Sequence, residues 1–243
     1  MMIFSCYKNL SIPAMKSISA KKLILGCAGM TVAMWLCISP AFADDDAATP
    51  PPQPVKFFSD EQLNKHRTTI KRIEQYLTSL TTIVADFTQV APDGTLTSGK
   101  FFLQRPGRMR WQYNPPTPIL MVSSGKELVY YDIELEQVSH IPLDGTLIGF
   151  LAQNPVSFEK HVGVVDLSEH QGVIRITIAQ LDKSEYGQLA LEFSDNPLVI
   201  RNMVITDSTH QVTTVSLNNA RFGLPISPEL FVFRDPRQPR HGH

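Results

Sequence analysis

Residues 99–113 read GKFFLQRPGRMRWQY. Side chains two apart in an extended chain share a face, so Phe101, Leu103 and Arg105 point one way and Lys100, Phe102 and Gln104 the other. Pro106-Gly107 supplies turn chemistry. The chain then resumes with Met109, Trp111 and Tyr113 on one face and Arg108, Arg110 and Gln112 on the opposite one. This is a hairpin with one apolar wall. Arg105 ends the apolar row, where an unpaired guanidinium is costly to bury. Two readings follow from the spacing: Arg105 lies at the strand's end and extends to water, or it donates hydrogen bonds to a backbone segment that covers the wall.

The same alternation recurs on both sides of this hairpin. Runs at 83–90, 96–104, 108–113, 119–123, 128–132, 136–141, 162–167, 173–179, 188–193, 199–206 and 212–218 have strand composition, and turn dipeptides such as Asp93-Gly94, Ser124-Gly125, Gln171-Gly172 and Asn196-Pro197 separate many of them. Eleven short strands at this spacing predict a large antiparallel sheet curled into a barrel or half-barrel. No repeat period is present, which excludes a propeller or solenoid.

Two segments have helical character. Ser59 with Gln62 three residues on has the form of a capping box, and Leu63, Ile70, Ile73, Leu77 and Leu80 recur at helical spacing. One amphipathic helix of about five turns is expected there. Between the sixth and seventh strands, Asp144 is a candidate cap for a short helix over 145–153 that Asn154-Pro155 would end. Leu147, Ile148, Phe150, Leu151 and Ala152 make it apolar on most sides, while Gly145 and Gly149 each weaken it by up to about 1 kcal/mol. Such a helix suits a movable lid or a plug at one end of a barrel.

The N-terminus reads as an address. Lys16, Lys21 and Lys22 precede an apolar run over 23–38, then Pro40 and Ala41-Phe42-Ala43, the layout of a cleavable secretory signal over 1–43. The run is shorter than the ~20 residues of a typical membrane span. All three cysteines, Cys6, Cys27 and Cys37, precede the expected cleavage point, so the exported part relies on neither thiol nor disulfide. Residues 44–56, with three aspartates and a proline-rich stretch, read as a disordered linker. The folded domain is expected over 57–233 and a disordered tail over 234–243. Beyond residue 43 the chain carries 18 basic and 23 acidic residues, a net of −5, which gives no support to nucleic-acid binding.

Five pieces occur in order: Phe87-Thr88-Gln89; Gly99-x-Phe101 with Arg105-Pro106-Gly107; Trp111-x-Tyr113-x-Pro115; Val122-Ser123-Ser124-Gly125-Lys126; and Tyr131-Asp132-x-x-Leu135-x-Gln137-Val138. In this order and spacing the chain resembles the LolA family of periplasmic outer-membrane lipoprotein carriers, especially its alphaproteobacterial form, over roughly residues 60–233. The resemblance implies an α+β, mainly antiparallel fold, an incomplete (half-open) β-barrel of about eleven strands with helices covering the concave apolar face. It also implies that the arginine of the Arg-Pro motif, Arg105, bonds to the lid, and that Met109, four residues on, faces the cargo. With the wall, this makes Phe101, Leu103, Met109, Trp111 and Tyr113 the expected acyl-binding residues, and Arg105, Leu147, Ile148, Phe150 and Leu151 the expected closure. The implied partners are acylated lipoproteins, an inner-membrane LolCDE-type ABC transporter, and a LolB-like acceptor or the outer membrane itself. No cofactor, metal or nucleic acid is expected, and the protein is expected to be a monomer in the periplasm.

Two other function classes bear on the same residues. An enzyme is not expected: the chain has no Gly-x-Ser-x-Gly elbow, no His-Glu-x-x-His and no Gly-rich phosphate loop, and its seven histidines are scattered. Asp132, Glu134 and Glu136 read as a solvated strand face rather than as a hydrolase's carboxylates. A periplasmic sensor module that binds a lipid or a signalling protein is the alternative on the same fold, which fold alone does not separate from a carrier.

Overall fold

The computed structural model describes residues 55–144 and 146–237. The expected leader and residues 44–54 of the expected linker lie outside them. The strands are β1 (Thr82–Val90), β2 (Leu96–Gln104), β3 (Arg108–Tyr113), β4 (Ile119–Ser124), β5 (Glu127–Asp132), β6 (Gln137–Pro142), β7 (Val162–His170), β8 (Val173–Gln180), β9 (Gly187–Ser194), β10 (Val199–Asp207) and β11 (Val212–Phe222). They form one sheet in the order β6-β5-β4-β3-β2-β1-β11-β10-β9-β8-β7. All neighbours are hairpin-linked except β1 and β11, whose antiparallel pairing joins the two halves. β6 and β7 stay apart as edges, so the barrel is half-open. Register shifts at Val84/Asp86, Val164/Asp166 and Ile200/Asn202 are the irregularities by which a long antiparallel sheet bends and twists.

The N-terminal helical segment departs from the expected single helix. It forms α1 (Asp60–Lys65) and α2 (Arg67–Ser79), separated at His66, where φ is −100° and ψ is 9°. The apolar stripe explains the break. Leu63 still packs against the core, but His66 and Arg67, three and four residues on, interrupt the apolar row, and α1 fully buries no residue. α2 buries Ile70, Ile73 and Leu77. The capping box is present as expected, with the Ser59 amide donating to Gln62 Oε1 at 2.9 Å and the Gln62 amide to Ser59 Oγ at 3.4 Å.

Polar ties fix α2 against the β7–β10 half. Arg72 meets Asp195 in the β9–β10 turn at 2.5 Å, and Thr69 Oγ1 donates to Glu169 at 2.8 Å. The Tyr76 ring stands edge-on to Phe193 while its hydroxyl accepts the Ile200 amide at 3.0 Å. Glu74 and Thr78 accept the Phe158 and Val156 amides of the chain that leads into β7. Ile73 and Leu77 thereby join the inward residues of both sheet halves in one apolar cluster.

The outer face has its own small core. A short turn of helix, Pro228–Phe231, lies against β3 and β4; Phe231 and the outward-facing Val122 are both buried, and Phe233 packs on Tyr131 with ring centroids 5.5 Å apart. Arg110 Nη1 donates to the Leu230 carbonyl at 3.1 Å. Beyond Phe233, Arg234 pairs with Glu229, and Arg237 donates to the Glu136 carbonyl at 3.0 Å. Phe231→Ala is expected to lower the unfolding free energy by about 3–5 kcal/mol, and Val232→Ala, at an exposed position, by under about 0.5 kcal/mol, as read by urea denaturation.

Candidate functional site

β2 and β3 pair so that Leu103 faces Met109, Phe101 faces Trp111 and Gly99 faces Tyr113. The inward row is therefore continuous across the hairpin, and the five expected wall residues form one patch. Phe101 and Trp111 have ring centroids 4.2 Å apart, and Phe87 of β1 stands edge-on to both Trp111 and Tyr113 at 5.1 and 5.0 Å. All five are buried. They share one apolar cluster with Ile73 and Leu77 of α2 and with Phe150 and Leu151 of α3 (Leu147–Ala152). The hollow expected from sequence is thus closed over by the protein's own helices.

Arg105 lies where the wall meets both helices. Only 8% of it is exposed, which overturns the reading in which it extends to water. Its Nη1 donates to the carbonyls of Leu77 and, at 2.7 Å, Leu80; its Nε donates to the Leu151 carbonyl at 3.0 Å. These carbonyls belong to the final turns of α2 and α3, where helices leave acceptors without intrahelical partners and the macrodipole favours a cation. Burial pushes the guanidinium down to about 10, so it stays charged at neutral pH. The charge-assisted bonds offset a desolvation cost that an unpaired ion would carry in full.

The backbone of the turn makes the same two attachments. The Arg105 amide donates to the Thr81 carbonyl and the Gly107 amide to the Ala152 carbonyl, both at 2.9 Å. Gly107 has φ of +75°, and a Cβ there would stand 2.8 Å from the Gly125 backbone. The Arg105-Pro106-Gly107 sequence therefore presents one guanidinium and two amides to the covering segments in a turn that only glycine completes.

α3 differs from its sequence reading in two respects. It starts at Leu147, capped by Thr146, whose Oγ1 accepts the Gly149 amide at 2.9 Å; Asp144 is not the cap. Gly149 is also a site of close approach as well as a weak helix former: a Cβ would lie 1.8 Å from the Leu143 carbonyl oxygen. Phe150 stacks on Phe158 at 5.3 Å. Phe150 and Leu151 are buried, whereas Leu147 and Ile148 are half-buried against the same cluster.

Sequence reasoning missed the polar end of the wall. Tyr113 donates its hydroxyl to Gln89 Oε1 at 2.8 Å, and Gln89 is only 2% exposed. Burial holds the Tyr113 hydroxyl well above its ordinary pKa. The available signal was phase: Gln89 falls in step with Ile83, Ala85 and Phe87 on the inward face of β1. Asp132 also differs from expectation. It is buried and accepts the Glu134 and Leu135 amides at 3.1 and 3.0 Å, shaping the β5–β6 turn.

The model of the family described as outer membrane lipoprotein carrier protein LolA matches residues 78–234. An outer-membrane lipoprotein carrier protein of Methylococcus capsulatus is 32% identical over 176 residues, covering 68% of this chain and 83% of that protein. One of Pseudomonas syringae is 30% identical over 177 residues, covering 69% and 84%. An uncharacterized protein of Rickettsia prowazekii is 25% identical over 167 residues, covering 69% and 77%. Among solved structures, a LolA superfamily protein of Nitrosomonas europaea aligns with a TM-score of 0.38 at 9% identity, covering 68% of this chain and 97% of that one. With the family model matched over more than half its length, from the end of α2 through β11 and the C-terminal turn, the chain belongs to the LolA family of outer membrane lipoprotein carrier proteins.

Proposed function

We propose that the protein accepts acylated lipoproteins from an inner-membrane LolCDE-type ABC transporter, shields their acyl chains against the concave wall, and delivers them across the periplasm to a LolB-like acceptor or the outer membrane itself. The observation that carries this reading is the Arg105 clasp. Here a single buried cation bonds the terminal carbonyls of both helices that cover the wall. Such a contact is directional and exchanges for water on opening, so its net strength is modest. Closure can then be undone by a guest.

The physics of transport requires this balance. Burying an acyl chain gains about 0.8 kcal/mol per methylene, so exposing a chain of roughly fifteen methylenes to water costs on the order of 12 kcal/mol. An empty groove of matching size exposes a large apolar patch, which favours association. Helices that fill the groove when it is empty and yield when it is occupied meet both conditions. Handover then follows differences in affinity among donor, carrier and acceptor, with no chemical step in the carrier.

With inner-membrane vesicles, their ABC exporter and ATP, the purified protein is expected to bring acylated lipoprotein into the supernatant; no extraction would overturn the carrier reading. Arg105→Leu is expected to raise amide exchange in α3 and the last turn of α2 at least about tenfold, the factor given by roughly 1.4 kcal/mol less opening free energy. The same variant should retain cargo and pass less of it to acceptor membranes. Unchanged exchange and transfer would remove Arg105 from closure. Met109→Glu is expected to weaken binding of a fluorescent fatty acid at least about tenfold by placing a carboxylate in the wall, while Met109→Leu preserves it. Circular dichroism should show the sheet in both.

A further inference from the structure

The concave wall is graded along its length. From the Arg105 turn, the inward pairs on β1 and β2 run Ile83 with Leu103, Ala85 with Phe101, Phe87 with Gly99, and finally Gln89 with Thr97. The last pair changes character. Gln89 is almost fully buried and bonded to the Tyr113 hydroxyl, Thr97 Oγ1 is buried with no hydrogen-bond partner among the described residues, and Thr213, inward on neighbouring β11, is buried too. Gln89, Thr97 and Tyr113 thus lie together toward one end of the wall, with Thr213 two residues beyond Gln89's β11 partner Val215, about 20 Å from Leu103 along the strand.

Buried polar groups are costly unless satisfied, and a purely hydrocarbon guest would gain nothing from them. The Gln89–Tyr113 pair carries one O–H and two N–H hydrogens, of which their mutual bond uses one; the two threonine hydroxyls add two more donors. We infer that this cluster is a subsite for the ester or amide carbonyls that link acyl chains to a lipid's polar part. The guest then lies with its linkages at Gln89, Thr97, Tyr113 and Thr213 and its chain ends toward Leu103 and Met109, beneath the Arg105 clasp. This rests on the carrier reading and adds to it the orientation of the guest and a chemical preference. The donors discriminate an acyl ester from an alkyl ether of equal length, because the ether lacks the carbonyl acceptor.

The test is displacement of cis-parinaric acid from the purified protein by a 1-acylglycerol and by the 1-O-alkylglycerol of the same chain length. The ester is expected to displace the probe at a concentration lower by on the order of fivefold per carbonyl engaged, the factor typical of one neutral hydrogen bond. Tyr113→Phe and Gln89→Leu are expected to bring the ester-to-ether ratio close to one, the ester losing more potency than the ether. Displacement by the ether that stays measurable, with the sheet's circular dichroism retained, separates this outcome from unfolding. Equal displacement by ester and ether in the unsubstituted protein, or a ratio unchanged in both variants, would overturn the subsite and leave the carrier reading standing. If neither lipid displaces the probe, no such guest enters, and both fall together.

Discussion

Arg105 holds a full positive charge away from water against three backbone carbonyls, and through them one turn of the wall meets the ends of both helices that cover it. One side chain terminates two helices at once. The carbonyls it meets would otherwise need water or capping groups, so covering the wall and capping α2 and α3 are the same event. Its partners are backbone atoms at helix ends, and among the described residues no carboxylate forms an ion pair with it. The flanking amides of Arg105 and Gly107 extend the attachment to Thr81 and Ala152.

The sheet supplies what the clasp needs, a wall continuous enough to be worth covering. Pairing of β1 with β11 joins two runs of hairpins into one surface, and the unpaired edges β6 and β7 keep that surface from closing into a sealed cylinder. The two halves then take different loads. α2 is tied to the β7–β10 half by Arg72, Thr69 and Tyr76, whereas its C-terminal end and α3 depend on the Arg105 turn. The outer face of β3–β5 is buttressed separately by Phe231 and Phe233. The concave surface is also not uniform: Gln89, Thr97 and Tyr113 bring polar groups to the end away from the clasp.

Much of this was legible in residues 99–113. Period-two alternation named the inward row, Pro106-Gly107 named the turn, and the isolated charge at the row's end marked Arg105. Strand existence was equally readable elsewhere, because turn dipeptides punctuate a chain whose hydrophobic phase is clear. Local signals failed where the deciding contact is distant in sequence. The continuous helix expected from Ser59 breaks at His66, where the apolar row lapses between Leu63 and Ile70; the cap of α3 is Thr146 because the chain there folds tightly on Leu143; and Asp132 turns inward to accept turn amides instead of facing water.

By itself the sequence determined which side chains share a face, since alternation follows from the geometry of an extended backbone and needs no partner. It left Arg105 with two fates, water or a covering segment, because the carbonyls that receive it lie 25 to 46 residues away in sequence. It likewise gave Gln89 no partner, only a place in a strand and in the ordered pieces that carry the family resemblance. Only the tertiary structure brought those carbonyls to the guanidinium and placed Gln89, Thr97, Tyr113 and Thr213 at one end of the wall. The reason is that burial and hydrogen-bond partnership belong to the folded arrangement of distant segments, whereas periodicity belongs to the chain alone.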